Sequence, residues 1–148
     1  MATIVFNVAL GRVAYLASLP AANDALVMVP LESSGLVADS VMRDYDTLAD
    51  LLAGASNEQT SVGRKTLASV TVTVDDANDR VAVDAADVTW TAPTGSAIGA
   101  VVICYDPDTT GGTDADLVPL TKHDLSWTPD GNNFTLTVSD FFRASSTA

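Results

Sequence analysis

The chain has 148 residues, with seven Lys and Arg against nineteen Asp and Glu, and a net charge of −12. That balance excludes an ordinary nucleic-acid-binding surface, which needs cations to displace counterions; only Arg64 and Lys65 set two cations side by side. An apolar share of 47% argues against a disordered chain, and no apolar run nears the roughly eighteen residues that span a bilayer.

At this length the expectation is one β-rich domain over residues 1–148, with a core large enough to need no disulfide staple. The single cysteine, Cys104, lies in an apolar run, which predicts a buried, inert thiol and a fold made in a reducing cytoplasm. The first residues have neither the basic start nor the long apolar stretch of a signal peptide.

Residues 3–8 (Thr-Ile-Val-Phe-Asn-Val) read as a first strand, and Gly11 marks a turn. Residues 12–19 fit neither the strand nor the helix period cleanly. After the Pro- and Asn-containing loop 19–24, residues 25–31 predict a strand whose Pro30 end is an edge or terminus. One short helix is predicted over about 46–53, capped by Asp46, with Leu48, Leu51 and Leu52 on one face and Gly54 as the stop. Residues 55–64 are polar and predict an exposed loop.

From Lys65 onward the chain alternates. Val70, Val72 and Val74 share one face of a strand, an acidic turn follows at 75–79, and residues 80–84 return as its hairpin partner. Residues 88–91 form another strand, and the uniformly apolar 98–105 predicts a central strand buried on both faces. Beyond the loop 106–116, residues 117–120 (interrupted by Pro119) and 125–127 read as two short strands, with an exposed turn at 122–124. The turn signal at 129–132 predicts a second hairpin between Trp127 and residues 133–138, and residues 144–148 predict a frayed tail. The fold class is therefore mainly β, an antiparallel β-sandwich or small barrel with one short helix.

Little in this pattern carries chemistry. His123, the only histidine, sits in the predicted turn Thr-Lys-His-Asp, so neither catalysis nor metal binding is expected of it. The acidic loop offers the one metal candidate, with Asp106, Asp108, Thr110 and Asp114 at positions one, three, five and nine of a calcium-loop spacing and Gly111 at six. Position twelve is Leu117 where a Glu is needed, and flanking helices are missing, so a solvated connection is the preferred reading. Asp75 with Asp76, and Asp84 with Asp87, sit at turns and strand ends, where Asp solvates backbone. Trp90 and Trp127 lie within strands, where packing is favoured over a sugar-binding platform. No enzyme and no cofactor is expected.

Several stretches together, Ile4-Val5-Phe6-Asn7-Val8-Ala9 with Gly11-Arg12-Val13-Ala14-Tyr15, Asp44-Tyr45-Asp46-Thr47-Leu48, Gly54-Ala55-Ser56-Asn57-Glu58-Gln59-Thr60, and Cys104-Tyr105-Asp106-Pro107-Asp108-Thr109-Thr110, resemble a family. It is one of small proteins encoded among the virion structural genes of tailed phages that infect actinobacteria, and the likeness runs along nearly the whole chain. The resemblance implies capsid decoration: a protein made in the host cytoplasm that binds the outer surface of the virion shell and reinforces it. The implied partner is the major capsid protein, without nucleic acid or membrane, and self-association as a homotrimer is expected because a closed trimer matches the three-fold positions of an icosahedral shell. No binding residues carry over. Two alternatives stand beside this one: a head–tail connector or other tail-associated protein, and a carbohydrate- or calcium-binding β-module using Trp90, Trp127 or the loop 106–116.

Overall fold

A computed structural model describes residues 3–54 and 56–146. In chain order its strands are β1 (Thr3–Val5), β2 (Ala25–Glu32), β3 (Lys65–Thr66), β4 (Thr71–Asp75), β5 (Arg80–Asp84), β6 (Val88–Trp90), β7 (Ile98–Asp106), β8 (Val118–Trp127), β9 (Phe134–Leu136) and β10 (Phe142–Ser145). The helices are α1 (Val13–Ala17), α2 (Asp39–Met42) and α3 (Leu48–Ala53), with a 3-10 turn at Asn7–Ala9.

All strand pairs are antiparallel. A five-stranded sheet runs in the order β1-β8-β7-β2-β3, a three-stranded sheet in the order β10-β5-β4, and β6 pairs with β9 as a two-stranded ribbon. The five-stranded sheet ends in separate edges at β1 and β3, so no barrel closes among the described residues.

Its central strands have two buried faces. Leu26 and Met28 of β2 join Val101 and Ile103 of β7 in one core, sealed by Val13 and Leu16 of α1, Val83 of β5, Trp90 of β6 and Phe141. The alternate residues Val27, Val29 and Leu31, with Val102 and Cys104, enter a second core closed by Phe6, Met42 of α2, and Leu48 and Leu51 of α3. The alternation follows from the two-residue period of a strand. Each fully buried Val or Leu stabilises by about 1.5–3 kcal/mol, so the sheet is anchored from both sides. The first face is sheet packed on sheet, as in a sandwich, and the second is covered by short helices.

Several expectations hold. Residues 25–31 lie in β2, and 98–105 form the buried strand β7. The hairpin of β4 and β5 pairs Thr71 with Asp84 and Asp75 with Arg80. Pro30 lies beyond the β3 pairing; its carbonyl accepts from the Gln59 amide at 2.9 Å, so its missing donor falls on that irregular side, away from β7.

Others are corrected. The first strand stops at Val5 because the Asn7 amide donates to the Arg43 carbonyl at 2.8 Å and its side chain to Asp44 at 2.7 Å, turning the chain aside. The ambiguous stretch 12–19 contains the helix α1, and the described residues form three short α-helices rather than one. The cap of α3 is Thr47, whose hydroxyl accepts from the Asp50 amide at 3.1 Å, and not Asp46. Gly54 is needed there for space, since a Cβ would fall 2.0 Å from the Tyr45 hydroxyl.

The polar stretch 55–64 is not simply exposed. Ser56 and Gln59 are buried, with the Gln59 amide nitrogen donating to the Ser96 carbonyl at 2.9 Å; Ala55 lies outside the described residues. The two short strands at 117–120 and 125–127 are one ten-residue strand, β8. Pro119 does not break it because it sits opposite Cys104, where the register shifts and the ladder is already irregular. The second hairpin does not form as such: the turn at 129–132 is made, but β9 pairs with β6, aligning Thr89 with Thr135. In the predicted frayed tail, Ala144 and Ser145 pair with Val81 and Arg80 of β5, while 147–148 lie outside the described residues.

Candidate functional site

The acidic loop 106–116 is organised by its own turn chemistry. Asp106 accepts from the Asp108 amide at 3.0 Å, and Asp108 accepts from the Thr110 hydroxyl at 2.6 Å and amide at 3.0 Å. Asp116 accepts from the Thr113 amide and hydroxyl, both at 2.9 Å. These bonds favour the ionised form and hold the Asp108 and Asp116 carboxyls below the usual carboxylate range.

Asp114 is directed elsewhere. It accepts two hydrogen bonds from Arg64, at 2.6 and 3.0 Å, while the same guanidinium donates to both oxygens of Glu58 at 2.8 and 2.6 Å. The bonds to Glu58 and then Asp114 raise the Arg64 pKa, and Arg64 in turn lowers that of Asp114. The forked arginine geometry suits two carboxylates at once, and it staples the loop 56–64 to the acidic loop. No local spacing signals this contact, since Arg64 lies 50 positions from Asp114. Asp106, Asp108 and Asp114 are not brought together, and among the described residues no group of three or more His, Cys, Asp or Glu is arranged to hold a metal ion.

The predicted turn at 122–124 lies inside β8, and both of its central side chains are buried, Lys122 at 3% and His123 at 2% exposure. Neighbouring strand residues point to opposite faces. His123 goes to the ring-rich core, edge-on to Phe141 at 6.4 Å, with Nε2 2.9 Å from the Thr121 hydroxyl. Burial disfavours its imidazolium and pushes its pKa down to about 4. Lys122 goes to the helix-covered face, where it donates to Asp39 of α2 at 2.8 Å and to Asp124. Burial works against its charge, but the hydrogen bonds to Asp124 and Asp39 outweigh it, and its pKa ends above the ordinary lysine value.

Cys104 is fully buried, and burial pushes its thiol pKa well up, as expected of an inert cysteine. Trp90 is 1% exposed and its indole donates to the Gly63 carbonyl at 3.1 Å. The half-buried Trp127 stacks on Phe134, with centroids 4.0 Å apart and planes at 12°, and Trp90 lies 6.1 Å from each ring. The two tryptophans therefore pack with Phe134 as one ring cluster that covers the first core.

What the molecule offers to solvent is edges and shallow grooves. Val5 and His123 face residues 139–143 across a groove of about 380 Å³, beside the outer edge of β1. A second groove, of about 440 Å³, runs between α1 and β4, where Leu67, Val70 and Val72 are interspersed with the polar Ser18 and Ser69. Leu10, Tyr15 and Val74 are the most exposed large apolar side chains among the described residues, Val74 at 73%. The exposure of Val74 was hidden in the sequence, where it continues the pattern of Val70 and Val72. No helix among the described residues is long and apolar enough to cross a membrane. No family model, curated protein or solved structure matches the chain.

Proposed function

We propose that this chain is a structural virion protein that binds the outer surface of a phage capsid, takes the major capsid protein as its partner, and reinforces the assembled shell. A ligand that binds only the assembled form shifts the equilibrium toward it by mass action, which requires a rigid frame and a docking edge, without a catalytic cleft. The observation that supports this most is the engagement of the chemically capable side chains in the frame itself. Asp114 holds Arg64, His123 packs against Phe141, Lys122 is locked to Asp39 and Asp124, and Trp90 lies under Trp127 and Phe134. Among the described residues only β8 pairs with β1, which at three residues is too short an edge for chance pairing but still leaves main-chain groups that a dedicated partner segment can extend. The charge of −12 complements a basic patch on such a partner. The family resemblance points the same way.

Cryo-electron microscopy of intact particles tests the proposal by locating and counting the chain. Density repeated at equivalent positions over the outer shell is the expected result. Density confined to the tail or its vertex would move the chain to a tail-associated role, and particles without it would overturn the virion reading.

A further inference from the structure

From the free edge of the second sheet we infer a docking surface for a second copy of this chain: β4 pairs antiparallel with β4 of its partner about a two-fold axis at Thr73. The free edges of the fold differ in how they are protected. β1 has three residues, β3 has two and carries Lys65, and β10 carries Arg143, whose side chain is 51% exposed. Such shortness and charge are the usual means of blunting an edge. β4 has five residues, Thr-Val-Thr-Val-Asp, with no Lys, Arg or Pro, and among the described residues only β5 pairs with it.

The register about Thr73 is self-complementary. Thr73 faces its own symmetry mate, Val72 faces the partner's Val74, and Thr71 faces the partner's Asp75, so no like charges stand directly opposite. The single acidic group of the edge, Asp75, is already held by Asn78 at 2.7 Å and Arg80 at 3.1 Å. The pairing also joins two features that are unmatched in one copy. Val74 is the most exposed large apolar side chain described, and Val72 is a half-buried apolar side chain in the groove between β4 and α1. Directly opposite residues share a face, so each Val74 is delivered beside Val72 at the partner's groove, twice per dimer.

Each copy carries −12, so the two repel at long range and association is strengthened by salt. The contact is a two-fold one, in contrast to the three-fold trimer that shell symmetry suggests, and it stands independently of whether the chain binds a shell. Sedimentation equilibrium of the full chain should show a reversible monomer–dimer system, tighter in about 0.5 M than in about 0.05 M salt. Val74→Lys should weaken the dimer by roughly a hundredfold, since two buried valines are lost and charge enters the edge. Val74 is exposed in the single copy, so the substitution leaves the fold intact.

A cross-link reads the register. Residues facing each other across an antiparallel pair have Cα atoms about 4.5–5.5 Å apart, within the range of about 4.4–6.8 Å that a disulfide spans. Thr73→Cys should therefore oxidise to a covalent dimer much faster than Thr71→Cys, which faces Asp75 instead; buried Cys104 does not compete. A trimer, a dimer indifferent to Val74→Lys, equal oxidation of the two cysteine variants, or a monomer at all accessible concentrations would each overturn the inference.

Discussion

Lys122 and His123 are adjacent in β8, and the sheet sends them into two different kinds of interior. His123 enters a core of rings and aliphatic side chains sealed by a second sheet and a ribbon, and it is kept neutral there. Lys122 enters the face covered by helices of four and six residues, and it is kept charged by carboxylates whose side chains are 40% and 45% exposed. Helices that short do not persist alone; packing on the sheet holds them. The contrast predicts that one strand serves a sheet-packed face that carries global stability and a helix-covered face that opens locally, with charge admitted only on the second.

The strongest way to break that contrast is to remove a ring from the sheet-packed face. Trp90→Ala is expected to cost about 4 kcal/mol by chemical denaturation, as a large buried ring and its hydrogen bond to Gly63 are lost together. Leu51→Ala, on the helix-covered face, is expected to cost nearer about 2 kcal/mol, because α3 can settle toward the gap. Amide exchange in residues 39–53 should accelerate before exchange in β7 does. Equal losses with uniform exchange would show that the two faces form one cooperative unit.

Acid sharpens the contrast next. The unfolded imidazole of His123 takes up a proton near 6.5, and the folded one only near about 4. The unfolded state therefore binds more protons between those values. The stabilisation is complete above 6.5 and is lost as pH falls toward 4, by up to about 3 kcal/mol. His123→Leu should remove that share of the acid slope while leaving stability near pH 8 within about 1 kcal/mol, the cost of the Thr121 hydroxyl losing its partner. Lys122 works with the opposite sign. Its folded pKa is raised, so its contribution is intact below the ordinary lysine value and is lost as pH rises through the folded one. A variant with the same acid slope as the parent would place the effect on the carboxylates instead.

Much of the fold was legible in the sequence because strands announce themselves by period. The alternation of residues 70–74, the acidic turn, and the unbroken apolar run 98–105 led to the β4–β5 hairpin and to β7. What was not legible depended on partners distant in the chain. Thr-Lys-His-Asp reads as a turn until Asp39, 83 positions away, accepts from the Lys122 ammonium and Phe141 meets the His123 ring. Pro119 reads as a break until the register shift opposite Cys104 absorbs it. β9 reads as the partner of the strand before it, yet it pairs with β6, 46 positions away. The candidate metal residues were legible as an acidic loop, but Asp114 was claimed by Arg64 from another loop, a contact that no local spacing encodes.

The smallest predicted effect tests whether charge on the helix-covered face acts through the pair or through the helix. Asp39 accepts from Lys122 and also lies in the first turn of α2, where a carboxylate is favoured by the unpaired amides. Asp39→Asn leaves Lys122 with Asp124, so the buried ammonium keeps one anionic partner, and the cost should be only about 1 kcal/mol at this half-exposed site. Lys122→Met replaces the ammonium with an apolar side chain of similar length, a change that buried ion pairs often tolerate. On that background Asp39→Asn should cost less than about 0.5 kcal/mol if the pair carries the effect. A loss that persists undiminished would assign the role of Asp39 to the start of α2, and the charge of Lys122 would then rest on Asp124 alone.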